Sequence, residues 1–254
     1  MAIDTHAHIF DAQFNDDRLD VIKRIKEANL KKVVVVGFSK ETNVLAQNLA
    51  LEHDFIYSTA GYHPSEANDI NQEDIFELEK FINDNKVYAI GECGLDYYWV
   101  NDNKDKQKWL FKEQINLSIK YNLPLVIHCR DAISDVYEIL KEYQGKVRFV
   151  MHCYSGSVEM AREFVKLGGY ISLGGPVTFK NAKAPKEVAV DVPVERLMIE
   201  TDCPYLAPTP YRGKRNEPAY VLNVLKEIAT LKNMDERELE IILDNNSVIF
   251  FNLD

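Results

Sequence analysis

The sequence predicts an α/β fold, a (β/α)8 TIM barrel, formed as a single domain by residues 1–254. Short apolar segments alternate with helical segments along the chain, and eight such repeats in about 250 residues are typical of this fold. Residues 33–36 are four consecutive valines, and such runs belong to parallel strands covered on both faces. An open doubly wound sheet is the alternative. Closure is favoured because candidate metal ligands follow several strands, and only a barrel brings those strand ends to one mouth.

The first strand is predicted within residues 1–10. The other seven are predicted at residues 32–38, 55–62, 87–90, 124–128, 147–152, 170–173 and 197–201. Helices are predicted at residues 16–30, 39–53, 71–84, 104–122, 131–143, 157–167, 184–189, 217–231 and 235–251. The first helix follows from the helical spacing of Leu19, Ile22 and Ile25. The last begins with Asp235 and Glu238 at the spacing of a capping box.

The composition is that of a globular protein, with 46% hydrophobic and 28% charged residues. The formal net charge of -10 argues against long-range capture of nucleic acid by a basic surface, although it does not exclude a locally positive cleft. No apolar run approaches the roughly 20 residues that a membrane helix needs. No targeting segment is recognisable before the first strand. We therefore expect a cytoplasmic protein without a membrane partner. The sequence carries no signal for the oligomeric state, and a monomer is the default expectation.

The first strand carries the pattern that we consider central, Asp4-Thr5-His6-Ala7-His8. Successive side chains of a strand point to opposite faces, so His6 and His8 share one face. Two neighbouring imidazoles are a ready pair of metal ligands. A half-buried histidine pair in a frayed terminus is the alternative for this motif alone.

Four further candidate ligands follow the ends of other predicted strands. His128 and His152 each end a strand, and the carboxylates come from Glu92 and Asp202. Alone, each histidine is better explained as an ordinary hydrogen-bonded residue near a strand end, and Asp202 also fits a helix N-cap or a turn before Pro204. Together with the first pair they suffice for two divalent cations, one on the His-x-His pair and Asp202, the other on His128 and His152. Glu92 is the natural bridge because its two oxygens can hold two metals about 3.5–4 Å apart.

This arrangement predicts metal-assisted hydrolysis. A water or hydroxide between the two cations would be the nucleophile, because two cations lower its pKa toward neutrality. Asp202 is the candidate general base, so Glu92 and Asp202 are the predicted catalytic residues. Imidazole and carboxylate ligands suit zinc, manganese, nickel or iron, whereas magnesium prefers oxygen ligands and fits this set only in part.

The four cysteines each follow a candidate ligand directly, at Cys93, Cys129, Cys153 and Cys203. Because neighbours in a strand face opposite ways, we expect these thiols to point away from the metals as buried apolar fillers. We expect neither disulfides nor thiolate ligands.

Seven separated motifs together resemble the TatD-type metal-dependent deoxyribonucleases, a branch of the amidohydrolase superfamily. They are Asp4-Thr5-His6-Ala7-His8, Gly61-Tyr62-His63-Pro64, Gly91-Glu92-Cys93-Gly94-Leu95-Asp96-Tyr97, Ile127-His128-Cys129-Arg130-Asp131, His152-Cys153-Tyr154-Ser155-Gly156, Glu200-Thr201-Asp202-Cys203-Pro204 and Arg212-Gly213-Lys214-Arg215-Asn216-Glu217-Pro218. The resemblance spans essentially the full chain. It implies a TIM barrel with two divalent cations that hydrolyses a phosphodiester, typically in DNA.

The resemblance also points to substrate contacts at His63 and Arg130. Arg215 belongs to a basic cluster after the eighth strand, Arg212, Lys214 and Arg215, whose charges can follow a DNA backbone. Arg130 is equally consistent with an ion pair to Asp131, and Arg215 with a residue that holds its loop in place. The aromatic run Tyr97-Tyr98-Trp99 offers rings on which a terminal base can stack. For at least two of these rings, packing under the loop is the simpler expectation.

The leading hypothesis is therefore a divalent-metal-dependent phosphodiesterase acting on DNA, an exodeoxyribonuclease. The alternative is a hydrolase of the same superfamily that acts on a small ester, lactone or amide, because the same nucleophile attacks a carbonyl and the fold does not separate the two. Cationic donors converging on the mouth, among them Arg130, His63 and Arg215, would favour phosphate.

Overall fold

The computed structural model describes residues 2–99 and 101–253. Eight strands lie in these two ranges. They are β1 (Ile3–Ala7), β2 (Lys32–Val36), β3 (Ile56–Thr59), β4 (Ile90–Asp96), β5 (Leu125–Arg130), β6 (Phe149–Met151), β7 (Tyr170–Leu173) and β8 (Leu197–Ile199). All neighbouring strand pairs are parallel, as the apolar runs predict.

Helices alternate with these strands along the chain. They are α1 (Arg18–Glu27), α2 (Lys40–Glu52), α3 (Gln72–Asp84), α4 (Lys104–Tyr121), α5 (Ile133–Glu142), α6 (Val158–Lys166), α7 (Lys183–Asp191), α8 (Val221–Lys232) and α9 (Glu236–Phe251). Predicted and observed bounds differ mostly at the termini. Helix α8 begins at Val221 because a 3-10 turn, Pro218–Tyr220, occupies the start of the predicted segment. Asp235 caps α9 by accepting hydrogen bonds from the amides of Arg237 and Glu238.

The strands are arranged as a ring with two seams. Strands β1 to β3 form one sheet and β4 to β8 form the other. At the first seam the Gly91 amide donates to the Ala60 carbonyl across 2.9 Å. At the second, the Asp202 amide donates to the His6 carbonyl across 2.9 Å, and the His8 amide donates to the Cys203 carbonyl across 2.8 Å. The prediction of a TIM barrel fold is confirmed.

The fourth strand is displaced from its predicted position. The sequence predicts residues 87–90, whereas β4 covers Ile90–Asp96, because the glycine-rich segment pairs with β5. Gly94 has φ +132°, and a Cβ atom there would lie 2.1 Å from the His128 carbonyl oxygen. Only glycine permits so close an approach. The pairing places Glu92 and Asp96 inside a strand, next to His128.

An apolar cluster inside the barrel supports the ends of the strands. It includes Val126 and Val150, each two residues before a candidate ligand histidine and therefore on the same face of the sheet. Phe250 and Phe251 of α9 pack against this cluster. The imidazoles thus lie next to closely packed apolar side chains, which limit their movement. Within the described residues, no helix combines the length and apolarity needed to cross a membrane.

Candidate metal centre

The strands bring the six predicted ligands together at their carboxyl ends. His6 lies in β1, Glu92 in β4 and His128 in β5, whereas His8 and His152 each follow the last residue of a strand. Asp202 lies three residues beyond β8, where its φ is +57°. The convergence of barrel strand ends therefore assembles residues that are up to 196 positions apart, from His6 to Asp202.

The first ligand set consists of four atoms around one point. The Nε2 atoms of His6 and His8 are 3.2 Å apart. Glu92 Oε2 lies 3.5 Å from the first and 3.8 Å from the second. Asp202 Oδ1 lies 3.8 Å from His6 Nε2 and 3.4 Å from His8 Nε2. Ligand atoms about 2.0–2.2 Å from a tetrahedral ion are about 3.3–3.6 Å apart, so a cation of zinc's size fits this set.

The second ligand set is built on the other oxygen of Glu92. Glu92 Oε1 lies 3.0 Å from His128 Nδ1 and 2.9 Å from His152 Nε2, and these two nitrogens are 3.5 Å apart. The two oxygens of one carboxylate thus face two different imidazole pairs. This is the arrangement required of a residue that bridges two cations.

Hydrogen bonds on the far side of two imidazoles orient their lone pairs toward these sets. His8 Nδ1 lies 2.9 Å from the carbonyl oxygen of Val36, which can only accept, so its Nε2 atom carries the lone pair. His152 Nδ1 lies 3.3 Å from Glu200 Oε1 and donates to it. Such outer partners are typical of metal-binding histidines.

Asp96 provides the corresponding partner for His128. Its Oδ2 atom lies 2.8 Å from His128 Nε2, which donates and leaves the Nδ1 lone pair facing Glu92. His6 differs, because its buried Nδ1 atom has no hydrogen-bond partner in the described part of the chain. The donor set as a whole fits two divalent cations, because the rings of His8, His128 and His152, when neutral, keep their proton on the outer nitrogen and direct the lone pair of the other nitrogen to the site.

The side chain of His63 lies close to the second ligand set, but its tautomer does not direct a lone pair toward a metal there. Its Nε2 atom lies 3.7 Å from Glu92 Oε1, close enough to be counted with His128 as a possible cluster. Its Nδ1 atom, however, accepts from the backbone N–H of Ser65 across 3.1 Å. Nε2 therefore carries the proton, and His63 presents an N–H donor at the cavity.

The pKa shifts reflect burial and the crowding of opposite charges. Burial lowers the pKa of His63 to about 4, so this ring is neutral at pH 7. Burial also lowers the pKa of His6. Burial opposes ionisation of Glu92, but the positive charge of protonated His152 and hydrogen bonds donated by His128 and His152 outweigh it and hold the pKa of Glu92 well below the usual range. The carboxylate of Glu92 is thus an anion, the form that binds cations.

A cavity of about 690 Å³ opens over the ligands. Glu92, Asp202 and the imidazoles except His6 form part of its lining, and an apolar wall includes Leu173, Val177 and Leu206. Asp202 is the more exposed of the two carboxylates in the first set, with 14% of its side chain accessible against 7% for Glu92. Polar groups at the base and apolar walls are characteristic of small-molecule and substrate sites.

Arg130 lines this cavity and does not pair with its neighbour. Across residues 2–99 and 101–253, no ion pair joins Arg130 to Asp131. Its guanidinium lies 3.9 Å from the ring centroid of Tyr98 and 5.3 Å from that of Trp99. Tyr97 points elsewhere, and its hydroxyl donates to Asp135 across 2.7 Å. Of the three aromatic rings, only Tyr97 is therefore held away from the cavity, whereas packing under the loop is the sequence-based expectation for at least two.

The prediction that Arg215 contacts the substrate is not supported by its position in the structure. Its guanidinium binds both carboxylate oxygens of Asp17 at 2.7 Å, donates to the Gln13 carbonyl and stacks over Phe14. It does not form part of the cavity lining. An arginine held by a bidentate carboxylate is unavailable to a phosphate, so Arg215 anchors its loop to the start of α1.

The predicted orientation is wrong for two of the four cysteines. Cys93 and Cys203 are buried as predicted, but Cys129 and Cys153 line the cavity. Strand β6 ends at Met151 and Cys153 has φ +43°, so the alternation of a strand no longer applies there. All four thiols are free. Burial raises the pKa of Cys129 to about 12, which keeps that thiol protonated.

Three buried carboxylates that support the site were not predicted, namely Asp96, Glu200 and Asp4. Glu200 Oε1 accepts from the Cys153 amide across 2.6 Å as well as from His152. Asp4 accepts from the amide and hydroxyl of Thr201 at 2.9 and 2.6 Å, which joins β1 to the segment after β8. Glu200 precedes Asp202 by two residues, the same spacing that relates His6 to His8. This spacing is the sequence feature from which a role for Glu200 could have been predicted.

The comparisons with known proteins identify the family of this chain. A family model described as TatD related DNase matches residues 3–252. The metal-dependent hydrolase YabD of Bacillus subtilis (strain 168) is 48% identical over 254 residues, which cover 100% of both chains. A protein of Rahnella sp. (strain Y9602) named 3'-5' ssDNA/RNA exonuclease TatD is 35% identical over 252 residues, covering 95% of each chain.

A solved structure shows the same architecture. The crystal structure of YJJV, a TatD homologue from Escherichia coli K12, superposes with a TM-score of 0.94 at 28% identity and covers 100% of this chain and 98% of that one. With a family model matching nearly every residue and relatives matching end to end, the chain belongs to the TatD family of metal-dependent hydrolases.

Proposed function

We propose that this hydrolase cleaves phosphodiester bonds at the end of a single DNA strand, with two divalent cations held by the six residues of the centre. The observation that carries the proposal is the position of Glu92, whose two oxygens face separate imidazole pairs at 3.5 and 2.9 Å. His6, His8 and Asp202 would hold one cation, His128 and His152 the other. When bound, the cations lower the pKa of an attacking water and neutralise charge on a phosphoryl oxygen.

The side chains around the centre supply the remaining requirements of phosphoryl transfer. Asp202 faces the cavity and is assigned to accept the proton of the attacking water. The Nε2–H of His63 and the guanidinium of Arg130 are donors for the non-bridging oxygens. Preorganised donors of this kind stabilise charge that develops in the transition state. Two donors that converge on the mouth favour a phosphodiester over a neutral ester.

The dimensions of the cavity support a strand end as substrate. A volume of about 690 Å³ lies within the roughly 300–1,000 Å³ typical of small-ligand pockets. Such a pocket accommodates a terminal nucleotide but not an intact duplex, whose bases are stacked and paired. The exonuclease name of the Rahnella relative agrees with this reading. The net charge of -10 is also compatible, because recognition then depends on the site rather than on a basic surface.

The test is hydrolysis of single-stranded DNA oligonucleotides labelled at the 3' or the 5' end. Chelated protein, metal-reconstituted protein and the Glu92→Gln variant are compared, with circular dichroism to show that the variant is folded. We expect stepwise shortening that requires metal and disappears in the variant. The end that shortens first gives the polarity.

Two results would overturn the proposal. Undiminished activity of Glu92→Gln would remove the bridging role. Absence of cleavage by metal-loaded protein would instead favour hydrolysis of a carbonyl ester, for which the apolar wall of Leu173, Val177 and Leu206 is suited. A panel of lactones and aryl esters would then be tested.

A further inference from the structure

The turn after β4 exposes two large aromatic rings beside the cavity. Tyr98 is 52% and Trp99 is 70% exposed, and adjacent exposed rings of this size form an apolar patch of the kind that marks a binding site. The two rings meet edge to face, with centroids 4.9 Å apart and planes at 88°. Trp99 lines the cavity, so one broad aromatic face is available next to the metal ligands.

This turn is held in place by a buried carboxylate. Asp96 is 2% exposed, and its Oδ1 atom accepts from the backbone amides of both Tyr98 and Trp99 at 3.0 Å. Its other oxygen binds His128. One side chain thus sets the aromatic turn at a defined distance from an imidazole of the centre. The side chain of Gln107 further braces Asp96 by bonding its backbone amide and carbonyl, each across 2.9 Å.

Arg130 completes this surface with a positive charge. Its guanidinium lies 3.9 Å from the ring centroid of Tyr98 and 5.3 Å from that of Trp99, so Trp99 is the less covered of the two rings. A ligand that uses both features needs a flat, unsaturated ring and an anionic group close to it. A nucleotide has both, because every base has a π face and every linkage carries a phosphate.

We propose that Trp99, Tyr98 and Arg130 form a stacking subsite for the base of the nucleotide next to the scissile phosphodiester. The inference rests on the proposed function for the choice of nucleic acid as substrate. It adds that an unpaired base, and not the phosphate alone, contributes to recognition. Because stacking does not depend on the identity of the base, the subsite predicts little sequence preference.

Tryptophan fluorescence tests the subsite without requiring turnover. The chain has two tryptophans, and Trp109 lies on α4 and is partly buried against the core, so Trp109→Phe leaves Trp99 as the sole emitter. Metal-loaded Trp109→Phe protein is titrated with thymidine 5'-monophosphate and, separately, with deoxyribose 5-phosphate and inorganic phosphate. We expect saturable quenching by the nucleotide alone. Equal effects of all three ligands, or no effect of the nucleotide, would overturn the proposal.

Kinetics in the wild-type background provide the second test. The substrates are a thymidine tetranucleotide and the same tetranucleotide with an abasic unit at the end that is attacked. Trp99→Ala should raise KM for the intact substrate by about 5- to 150-fold, with kcat nearly unchanged, and should leave KM for the abasic substrate unaltered. Trp99→Phe should restore most of the affinity, because the ring and not the indole N–H is required.

The control and the outcomes separate this proposal from the previous one. Arg162→Ala removes an exposed arginine that pairs with Asp191 on the outer helices, and it should not change KM for either substrate. If Trp99→Ala affects both substrates equally, the turn has only a structural role and the stacking subsite is rejected. If no oligonucleotide is cleaved by wild-type protein, the proposed function fails, while the fluorescence titration still decides whether the subsite binds a base.

Discussion

Asp96 accepts a hydrogen bond from His128 across 2.8 Å, on the side of the imidazole opposite Glu92. The bond leaves the Nδ1 atom of His128 facing the Oε1 atom of Glu92 at 3.0 Å. The relationship matters because an imidazole free to rotate, or in the other tautomer, offers its N–H to the site instead of its lone pair. Asp96 is accordingly a positioning residue for the second ligand set, although it contacts neither ligand carboxylate.

We expect Asp96→Asn to weaken binding of one of two cations by about 10- to 100-fold. An amide has a single acceptor oxygen and cannot serve both His128 and the Tyr98 and Trp99 amides. Calorimetric titration with zinc or manganese, together with elemental analysis of the bound metal, measures the effect. Asp131→Asn, at the exposed carboxylate that directly follows β5, is the matched control. Two unchanged binding events in Asp96→Asn would contradict the assignment.

We expect His63→Ala to lower kcat/KM by about 10²- to 10³-fold, as removal of a preorganised donor to an oxyanion does, with metal content unchanged. The pKa of His63 is lowered to about 4, so the ring is neutral throughout the range above pH 6. The pH profile of the residual activity above pH 6 should therefore keep its shape. A loss of one cation in this variant would show instead that His63 is a ligand.

Asp17 links α1 to the loop that carries Arg215, and its contribution should depend on pH. Arg215 holds the pKa of Asp17 at about 2, against the opposing effect of burial and with help from Arg24. Because the folded-state pKa lies below the unfolded value of 3.8, the stabilisation is present above about pH 4 and is lost as the pH falls through 2.

Replacing Asp17 by Asn should accordingly cost about 1 kcal/mol of unfolding free energy at pH 7, the upper range for partly exposed ion pairs. Urea denaturation of the wild type and the variant at pH 7 and pH 3 measures the difference, which should shrink at the lower pH. Asp16→Asn, at the exposed neighbouring carboxylate, serves as the control. A difference of equal size at both pH values would show that charge is not responsible.

Removal of metal should destabilise the fold and should not create a DNA-binding surface. Cations that bind only the folded state stabilise it by about 2.7 kcal/mol at a free concentration of one hundred times Kd. Thermal unfolding in the presence of chelator should thus occur several degrees lower, and reconstitution should reverse the change. With a net charge of -10, the chelated protein should bind single-stranded DNA weakly. Tight binding without metal, measured by fluorescence anisotropy, would disagree with this account.

Much of the site follows from local patterns in the chain. The strand period of two residues is sufficient to place His6 beside His8, and the structure has their Nε2 atoms 3.2 Å apart. The apolar segments before His128 and His152 indicate parallel strands, whose carboxyl ends converge in a barrel. These predictions succeed because periodicity depends only on neighbouring residues, and the barrel then determines which ends meet.

The tertiary structure decided which polar groups support those ligands. The supporting role of Asp96 is not predicted from the sequence, because the predicted fourth strand ends at residue 90. In the structure, the close approach of the strands that Gly94 allows extends β4 to Asp96. Arg215 has its partner Asp17 198 positions away, and local charge patterns do not reveal such pairs.

The sequence by itself therefore determined the barrel and the identity of the six candidate ligands. The alternation of strand and helix segments predicts the barrel, and the position of each candidate ligand relative to a predicted strand end singles it out. Only the tertiary structure decided that Asp96 orients His128, that the Ser65 amide makes His63 a donor, and that Arg130 lies over Tyr98. The physical reason is that hydrogen-bond direction, tautomer and ring stacking depend on atoms brought together by packing, to within a few tenths of an ångström. Those contacts have no periodicity in the sequence.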